Sequence, residues 1–513
     1  MIIVVHQHTK VVRVVDEKGN TIELNFNGSI GEILFTLAET YTDQLLVWCN
    51  EAYFEKLVVE AIPEIFQHSL QMASYSVAQK SFLPGQIGYV EDSPFLQVKY
   101  NVTYPTWCMS SDVGGMHSSV LNTINSSRFN ATDFDYFLNS IAKICQQKGL
   151  LCYSEPRFLS GKTETSEVKK ASKTIFFKFV HQHYKTRWMF LALANILLFE
   201  KKIPLFSFLR GFFSKKITSE TIDFKTILLA PKERKTISKT IDVIIPTMGR
   251  KLFLYDVLKD LSKQTIVPSK VIIVEQNPEE ASQTELDYLK NETWPFTIIH
   301  KFIHQTGACN ARNIAIQETT ASWVFMADDD IRFSNTVLEE ALQFLETYQC
   351  SAVTLSCLQK NEKPRQNFVS QWRTFGSGCS IVSLSFVTET MYNLSFEHGY
   401  GEDMDYGMQL RNKGCDVLYN PSVNLTHLKA PVGGFRKPIE KPWQVANEIP
   451  KPSPTIMLFR RKHTTERQLK GYKLLFFIRY YRKQNTKNPI AYFKKMQSYW
   501  NTSIHWSKKL DSL

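Results

Sequence analysis

The stretch 322–330, an apolar Ser-Trp-Val-Phe-Met-Ala run closed by Asp328-Asp329-Asp330, constrains this chain more than any other. A short, almost wholly apolar run fits a strand buried on both faces of a sheet. Three successive carboxylates at its end repel one another, which favours protonation or a bound cation. In an extended chain Asp328 and Asp330 point to the same side. Both can then reach one hard divalent ion that also takes phosphate oxygens from a substrate. A solvated acidic turn is the plain alternative, and placement at a strand end weighs against it.

The same punctuation recurs on either side. Residues 241–246 are an apolar run that breaks at 246–250. An amphipathic helix follows with Leu252, Leu254, Val257, Leu258 and Leu261, and 270–274 is a second strand. This spacing predicts a right-handed βαβ unit. Ligands of such sheets sit beyond the carboxyl ends of the strands, which puts Thr247, Arg250 and Glu275 on one rim. After a third strand at 297–304, Gly307 opens a helix whose N-terminal N–H groups suit an anion. Arg312 adds a forked donor suited to phosphate, although an ordinary strand-to-helix turn has the same look. Gly401-Glu402-Asp403-Met404-Asp405 enters a further helix, where carboxylates also complement the macrodipole. It follows the Gly376-Ser377-Gly378 loop and precedes a strand at 417–419 and then His427, placed where a chain returning to the metal arrives.

Seven ordered pieces, IIPTMGR, KVIIVEQN, GACNARNIAI, MADDDI, GSGCSIVS, GYGEDMDYGMQL and THLKAPVGGFR, span residues 241–434 and resemble glycosyltransferase family 2, of the GT-A fold. The resemblance implies a Rossmann-like mixed sheet flanked by helices and transfer from a nucleotide-sugar donor. It implies that Asp328 and Asp330 bind the ribose and a Mn2+ or Mg2+ ion, and that His427 completes the metal site. Asp403 matches the base that deprotonates an acceptor hydroxyl, with Glu402 helping to hold the acceptor. Thr247, Arg250, Glu275, Gly307, Arg312 and Asp329 are assigned to the nucleotide-sugar pocket, and Trp372 and Gly378 to the donor-sugar or acceptor pocket. The chain departs from the family at Glu275-Gln276, where an Asp is usual, and at Gln409, where Arg is common. It lacks the QxxRW signature of processive synthases, which disfavours chain polymerisation.

The length of 513 residues predicts more than one core. Residues 1–160 read as a smaller α/β domain, with strands at 1–15, 45–49 and 95–102 and helices at 63–74 and 134–148. The stretch 106–158 echoes 374–423 in order: small-residue loop, strand, acidic helix, Gly, strand, Pro. A degenerate GT-A-like duplicate and mere α/β likeness both fit that echo. Residues 161–238 read as a basic helical linker ending in the charged connector 231–235. The catalytic domain is expected at 239–435, and 436–513 as a Pro-rich segment with basic-aromatic helices.

A net charge of +12 needs an anionic partner, and nucleic acid, anionic lipid and phosphorylated small molecules all qualify. The basic-aromatic tail at 470–509 suits a membrane surface or simple packing, and nucleic acid is the weakest of the three. The apolar run 188–199 is too short to span a bilayer and fits a buried or an interfacial helix. Nine scattered cysteines without a CxxC pair predict reduced thiols. Residues 1–15 lack the marks of a signal peptide. Together these predict a cytoplasmic protein, peripheral on the inner membrane face, acting on a glycan or lipid-linked acceptor. Two other readings compete: a non-catalytic binding scaffold of the same fold, and a nucleotidyltransferase, which would want a Gly-rich triphosphate loop that 247–250 is not.

Overall fold

A computed structural model describes all residues except 24–25, 125, 130, 162–169, 218–221, 228, 230–235, 365, 432–439 and 513. The charged connector 231–235 and part of the last family-like piece lie outside the described residues. The chain forms two compact units, residues 1–233 with 464–483, and residues 234–463 with 484–513.

The first unit holds β1 (Ile2–Gln7), β2 (Lys10–Asp16), β3 (Leu45–Asn50), β4 (Gln71–Tyr75), β5 (Tyr104–Pro105), β6 (Val113–His117) and β7 (Leu151–Ser154), ordered β2-β1-β3-β6-β4-β7-β5. Alternation sets its two faces. Ile2, Val4, Leu46 and Trp48 enter one core with the helices Ile30–Thr40 and Phe134–Cys145, while Ile3, Val5, Val47 and Cys49 enter another beneath the sheet.

Two expectations fail here. The stretch 63–74 is not a helix: after a single turn, Ile62–Ile65, the chain becomes the central strand β4, because Met72 and Ala73 are needed on opposite faces of the sheet. Nor is 95–102 a strand, for Pro94 opens a 3-10 turn, Pro94–Leu96, and the chain stays irregular until β5.

The supposed linker also belongs to this unit. Phe176, Phe177, Phe179 and Val180 of the helix Lys173–His183, Met189 and Ala192 of Arg187–Asn195, and Phe208 of Leu205–Phe212 join its core. Charge on the outer faces hides that apolar stripe in the composition.

In the second unit, β8 (Ile241–Thr247), β9 (Lys270–Gln276), β10 (Thr297–Ile303), β11 (Trp323–Ala327), β12 (Ile331–Phe333), β13 (Ala352–Leu358), β14 (Ser370–Gln371), β15 (Cys379–Ser383) and β16 (Leu418–His427) form one mixed sheet. Its order is β10-β9-β8-β11-β15-β13-β16-β12, with β14 also on β16. β8 to β11 run parallel, joined by helices such as Lys251–Ser262, and β15 enters antiparallel between β11 and β13. This mixed α/β sheet with flanking helices accords with the GT-A fold.

The two units share a topology. β8 is parallel to β11, which is antiparallel to β15, which is antiparallel to β13, which is parallel to β16. β1, β3, β6, β4 and β7 repeat those senses and that chain order. The echo between 106–158 and 374–423 falls on matching strands. The units differ at the edge: β2 returns as a hairpin on β1, where the second unit has the parallel β9.

The expected tail is divided. Glu466–Tyr481 belongs to the first unit, where Gly471 lets it lie against the backbone of Tyr89; an added Cβ would stand 2.5 Å from the Tyr89 carbonyl oxygen. Pro489–Asp511 belongs to the second, buries Tyr492, Met496 and Trp500, and packs against Pro454–His463, where Arg461 donates to Ser507 Oγ at 3.2 Å and Lys462 pairs with Asp511 at 2.8 Å.

An ion pair inside the first core fixes the helix Phe134–Cys145. Lys143 and Glu91 are both buried and hydrogen-bonded, Tyr184 donates to the same Glu91 oxygen at 2.7 Å, and Trp107 faces the ammonium. Lys143→Met therefore leaves a buried carboxylate without its cation and should cost about 3–5 kcal/mol in urea unfolding. The double variant with Glu91→Gln should recover part of that loss. Equal stability of Lys143→Met and the parent would show that the pair does not anchor the helix.

Candidate active site

The acidic triplet leaves β11 at the middle of the second sheet, and each carboxylate meets a different partner. Asp329 turns inward and is almost fully buried; Thr247 Oγ1 donates to it at 2.7 Å and Arg250 Nη1 at 2.5 Å. Burial pushes its carboxyl up to about 6, against the pull of Arg250. Asp329 thus anchors Thr247 and Arg250 from within.

Asp328 and Asp330 stand on the other side. Arg312 Nη2 donates to Asp328 at 3.0 Å. Asp330 accepts the Ala430 N–H at 2.9 Å and lies 3.4 Å from both His427 Nε2 and Arg250 Nη1. Burial works against the Asp330 charge, yet His427, the Ala430 amide and Arg250 together hold its carboxyl below the usual range. The hydrogen bond to Asp330 raises His427 in turn. Sheet register explains the meeting. β12 runs antiparallel to β16 with Ile331 opposite His427, so the last residue of β16 returns beside Asp330.

Asp328, Asp330 and His427 each present one ligand atom, all within 4.8 Å of one another. Two carboxylate oxygens and an imidazole nitrogen form a donor set that suits Mn2+ or Mg2+. The residues therefore fit the cation that the sequence implies.

Gly378 closes this corner. Asp328 N donates to its carbonyl at 3.2 Å, and a Cβ at 378 would lie 2.1 Å from Asp328 Oδ2. The absence of a side chain is what lets the carboxylate sit there, so the glycine acts on Asp328 rather than lining a sugar pocket by itself. Trp372 is half-buried and stacked on Tyr419 with ring centroids 4.2 Å apart, which fixes its ring in the wall.

Glu402 and Asp403 form the first turn of the helix Glu402–Asn412, entered through Gly401 at φ 111°, a conformation that suits glycine. Ser377 Oγ donates to Asp403, and Tyr392 Oη donates to Ser377 at 2.7 Å. Burial raises the Asp403 carboxyl, with Arg312 and Ser377 pulling the other way. Glu402 is pushed up to about 7 by burial and by its charged neighbour Asp403. A carboxylate kept basic by desolvation and aligned by a hydroxyl is equipped to accept a proton.

The sequence reading missed Ser377 and Tyr392 as parts of this relay. Ser377 was visible in the loop, but Tyr392 carries no motif. It is held by two hydrogen bonds to Asn313, stacks on Tyr406, and lies under the Arg312 guanidinium at 5.5 Å.

Two places on the rim have protein partners of their own. The N–H groups of Cys309 and Asn310 at the helix opened by Gly307 donate to Glu397, at 3.2 and 2.8 Å. A protein carboxylate already fills the anion seat expected there. Glu275 stands at the end of β9 opposite Thr247, as its position predicts, but its carboxylate accepts from Thr284 and the Glu285 amide and lies 2.9 Å from His300. Those partners hold it below the usual carboxylate range despite burial.

Gly378→Ala should push Asp328 aside and weaken manganese binding by about 10- to 100-fold, as loss of a ligand's support does. Electron paramagnetic resonance titration of Mn2+ reads this directly. Unchanged affinity would remove Asp328 from the cation site.

Residues 242–401 match the family model described as glycosyl transferase family 2. An uncharacterized glycosyltransferase of Haemophilus influenzae is 30% identical over 106 residues, which is 21% of this chain and 34% of that protein. The chain thus spans about a third of the length of that curated relative. Among solved structures, S. aureus TarS 1–349 in complex with UDP-GlcNAc aligns at 13% identity over 52% of this chain and 79% of that one, with a TM-score of 0.36. The same protein in complex with UDP aligns at 14% identity over 37% and 61%, with a TM-score of 0.31.

Proposed function

We propose, from the premise that residues 242–401 form a glycosyltransferase family 2 domain, that this protein is an inverting, metal-dependent, non-processive glycosyltransferase. Its donor is a nucleotide-linked sugar, UDP-linked in the first instance, and its acceptor a hydroxyl of a glycan or lipid-linked saccharide. The observation that carries the reading is the convergence of Asp328, Asp330 and His427 on one point, with a desolvated, hydroxyl-aligned Asp403 in the same field of Arg312.

Asp328, Asp330 and His427 would hold the Mn2+ or Mg2+ ion, which as a Lewis acid neutralises charge on the departing nucleoside diphosphate. Thr247 and Arg250 keep the triplet divided, so that Asp329 stays inside and the flanking pair faces outward. Arg312 balances Asp328 and Asp403, and remains charged because both surround it. Asp403 takes the proton of the acceptor hydroxyl as that oxygen attacks the anomeric carbon, and a single displacement inverts configuration. Glu402 accepts a further hydroxyl of the acceptor.

Turnover of a panel of nucleotide-sugars with Mn2+ or EDTA tests the class. Metal-dependent release of nucleoside diphosphate from one donor supports it. Binding without turnover would favour the scaffold reading, and pyrophosphate release from a nucleoside triphosphate would favour a nucleotidyltransferase. Asp403→Asn should lower kcat by about 10²- to 10⁴-fold and leave donor binding intact. A protonated Asp403 cannot accept a proton, and burial raises its carboxyl, so the rate should fall with falling pH along a limb lying above the ordinary carboxylate value of about 4. Wild-type turnover in the variant, or full activity down to that value, would remove Asp403 as the base.

We further propose a cytoplasmic location with peripheral contact on an anionic membrane. All nine cysteines are free, in keeping with a reducing compartment. No helix among the described residues is long and apolar enough to cross a membrane. The contact surface we favour is not the 470–509 tail, whose helices spend one stripe each on packing, but the face around 190–213. There Ile203, Phe206 and Phe213 are 80%, 75% and 81% exposed, joined by Phe190, Leu198, Leu205 and Leu209. Lys201, Lys202, Arg210, Lys215 and Lys216 accompany them, and residues 201–219 contain no acidic side chain. Apolar side chains ringed by cations suit an anionic lipid surface. Phe206→Asp with Phe213→Asp should abolish flotation with phosphatidylglycerol vesicles, and the parent should not float with phosphatidylcholine alone. Undiminished flotation of the variant would exclude this face.

A further inference from the structure

The first unit carries a cavity of about 450 Å³ at the carboxyl ends of its strands. The shared topology tells which residues of the second unit it corresponds to. Cys49 pairs with Val113 across β3 and β6 as Ala327 pairs with Cys379 across β11 and β15. One residue on, Asn50 N donates to the Asp112 carbonyl at 2.7 Å, as Asp328 N donates to that of Gly378. Asn50, Glu51 and Ala52 therefore stand where the second unit has Asp328, Asp329 and Asp330, and Ser111-Asp112 where it has Ser377-Gly378.

The helices correspond as well. Asp135 is the second residue of Phe134–Cys145, as Asp403 is of Glu402–Asn412. Ser111 N donates to Asp135 at 3.2 Å, in the place where Ser377 holds Asp403. Burial raises Asp135 to about 6, the same direction as in its counterpart. The cavity is thus the first unit's version of the transfer site, with the serine and carboxylate retained and the metal carboxylates replaced.

That replacement decides the ligand class. Asn50 and Ala52 remove two of the three donors to a cation, and among the described residues the only cluster with metal-ligand geometry is Asp328, Asp330 and His427. Glu51 is paired with Arg13 at 3.3 Å, and without a cation the remaining carboxylates Asp112, Asp133 and Asp135 face only Lys80 among the lining lysines and arginines, a balance that disfavours a diphosphate. Carboxylates and an amide facing a cavity can instead engage hydroxyl groups through charge-assisted hydrogen bonds, and the rings of Phe82 and Phe134 supply apolar wall. His6 adds a buried acceptor. Its Nε2 lies 2.8 Å from the Ser111 carbonyl and must carry the proton, while Nδ1 has no partner among the described residues.

We propose that this cavity is a cation-independent binding site for a neutral saccharide, derived from a transfer site that has lost its nucleotide. The proposal is independent of whether the second unit is active. It is tested on the full chain carrying Asp330→Ala, in EDTA, by saturation-transfer NMR with neutral tetrasaccharides of gluco, galacto, manno and N-acetylglucosamine type. At least one should receive saturation. Ala52→Trp, at an exposed position on the cavity wall, should weaken it by about tenfold or more at unchanged Tm, and so should Asp135→Asn. Silence across the set, or saturation undiminished in Ala52→Trp, would overturn the proposal. So would competition by UDP in the same metal-free sample.

Discussion

Three carboxylates leaving one strand end cannot share a small volume unless each is given its own counterpart, and the second unit is arranged around that constraint. Asp329 is drawn into the interior by Thr247 and Arg250, from the turn after β8. Asp328 is balanced by Arg312 from the helix Ala308–Ile316 that precedes β11, and Asp330 by His427 from the last strand. The partners come from elements far apart in the chain, and only a sheet in which β8, β11, β15 and β16 lie in this order can deliver them together. Coulomb repulsion and strand order are in this sense one requirement.

The same logic extends to Asp403. Asp403 would be an ordinary N-terminal helix carboxylate were it not buried beside Arg312 and tied to Ser377 and Tyr392. Desolvation raises its proton affinity while the serine fixes its direction. Neither effect is a property of the Glu-Asp pair in the sequence. Tyr392 links the two halves of the site, since its ring lies under Arg312 and its hydroxyl reaches Ser377. The first unit shows what remains when the repulsion is relieved by replacement. With Asn50 and Ala52 at the strand end, Glu51 pairs with the partly exposed Arg13 at 3.3 Å, and Ser111 N still donates to Asp135.

Legibility followed periodicity. The strands β8, β9 and β11 are apolar runs bounded by sharp breaks, so their existence and ends could be read from the chain. Asp328, Asp330 and His427 could be named together because the resemblance supplied the pattern, a lone histidine being by itself more often structural, and the structure brings their ligand atoms within 4.8 Å of one another. The failures share a cause. Residues 63–74 have helix-like apolar spacing but are claimed by the sheet, where Met72 and Ala73 fill opposite faces. The stretch 161–238 looked like a linker because its composition is basic, whereas Phe176, Phe177, Phe179 and Phe208 are buried in the first core. Gly307 looked like a phosphate seat because the Glu397 that fills it lies ninety residues away in the chain.

The sequence by itself pointed to the α/β class of the second unit, named Asp328, Asp330 and His427 as a candidate cation group, and carried the pattern by which 242–401 match the family model, because these rest on local patterns that sheet geometry requires. The tertiary structure alone decided which carboxylate turns inward, which side chains align Asp403, and that Ser111 meets Asp135 in the first unit as Ser377 meets Asp403 in the second. Those outcomes depend on strand register and burial, which bring together residues whose separation along the chain carries no signal of their contact.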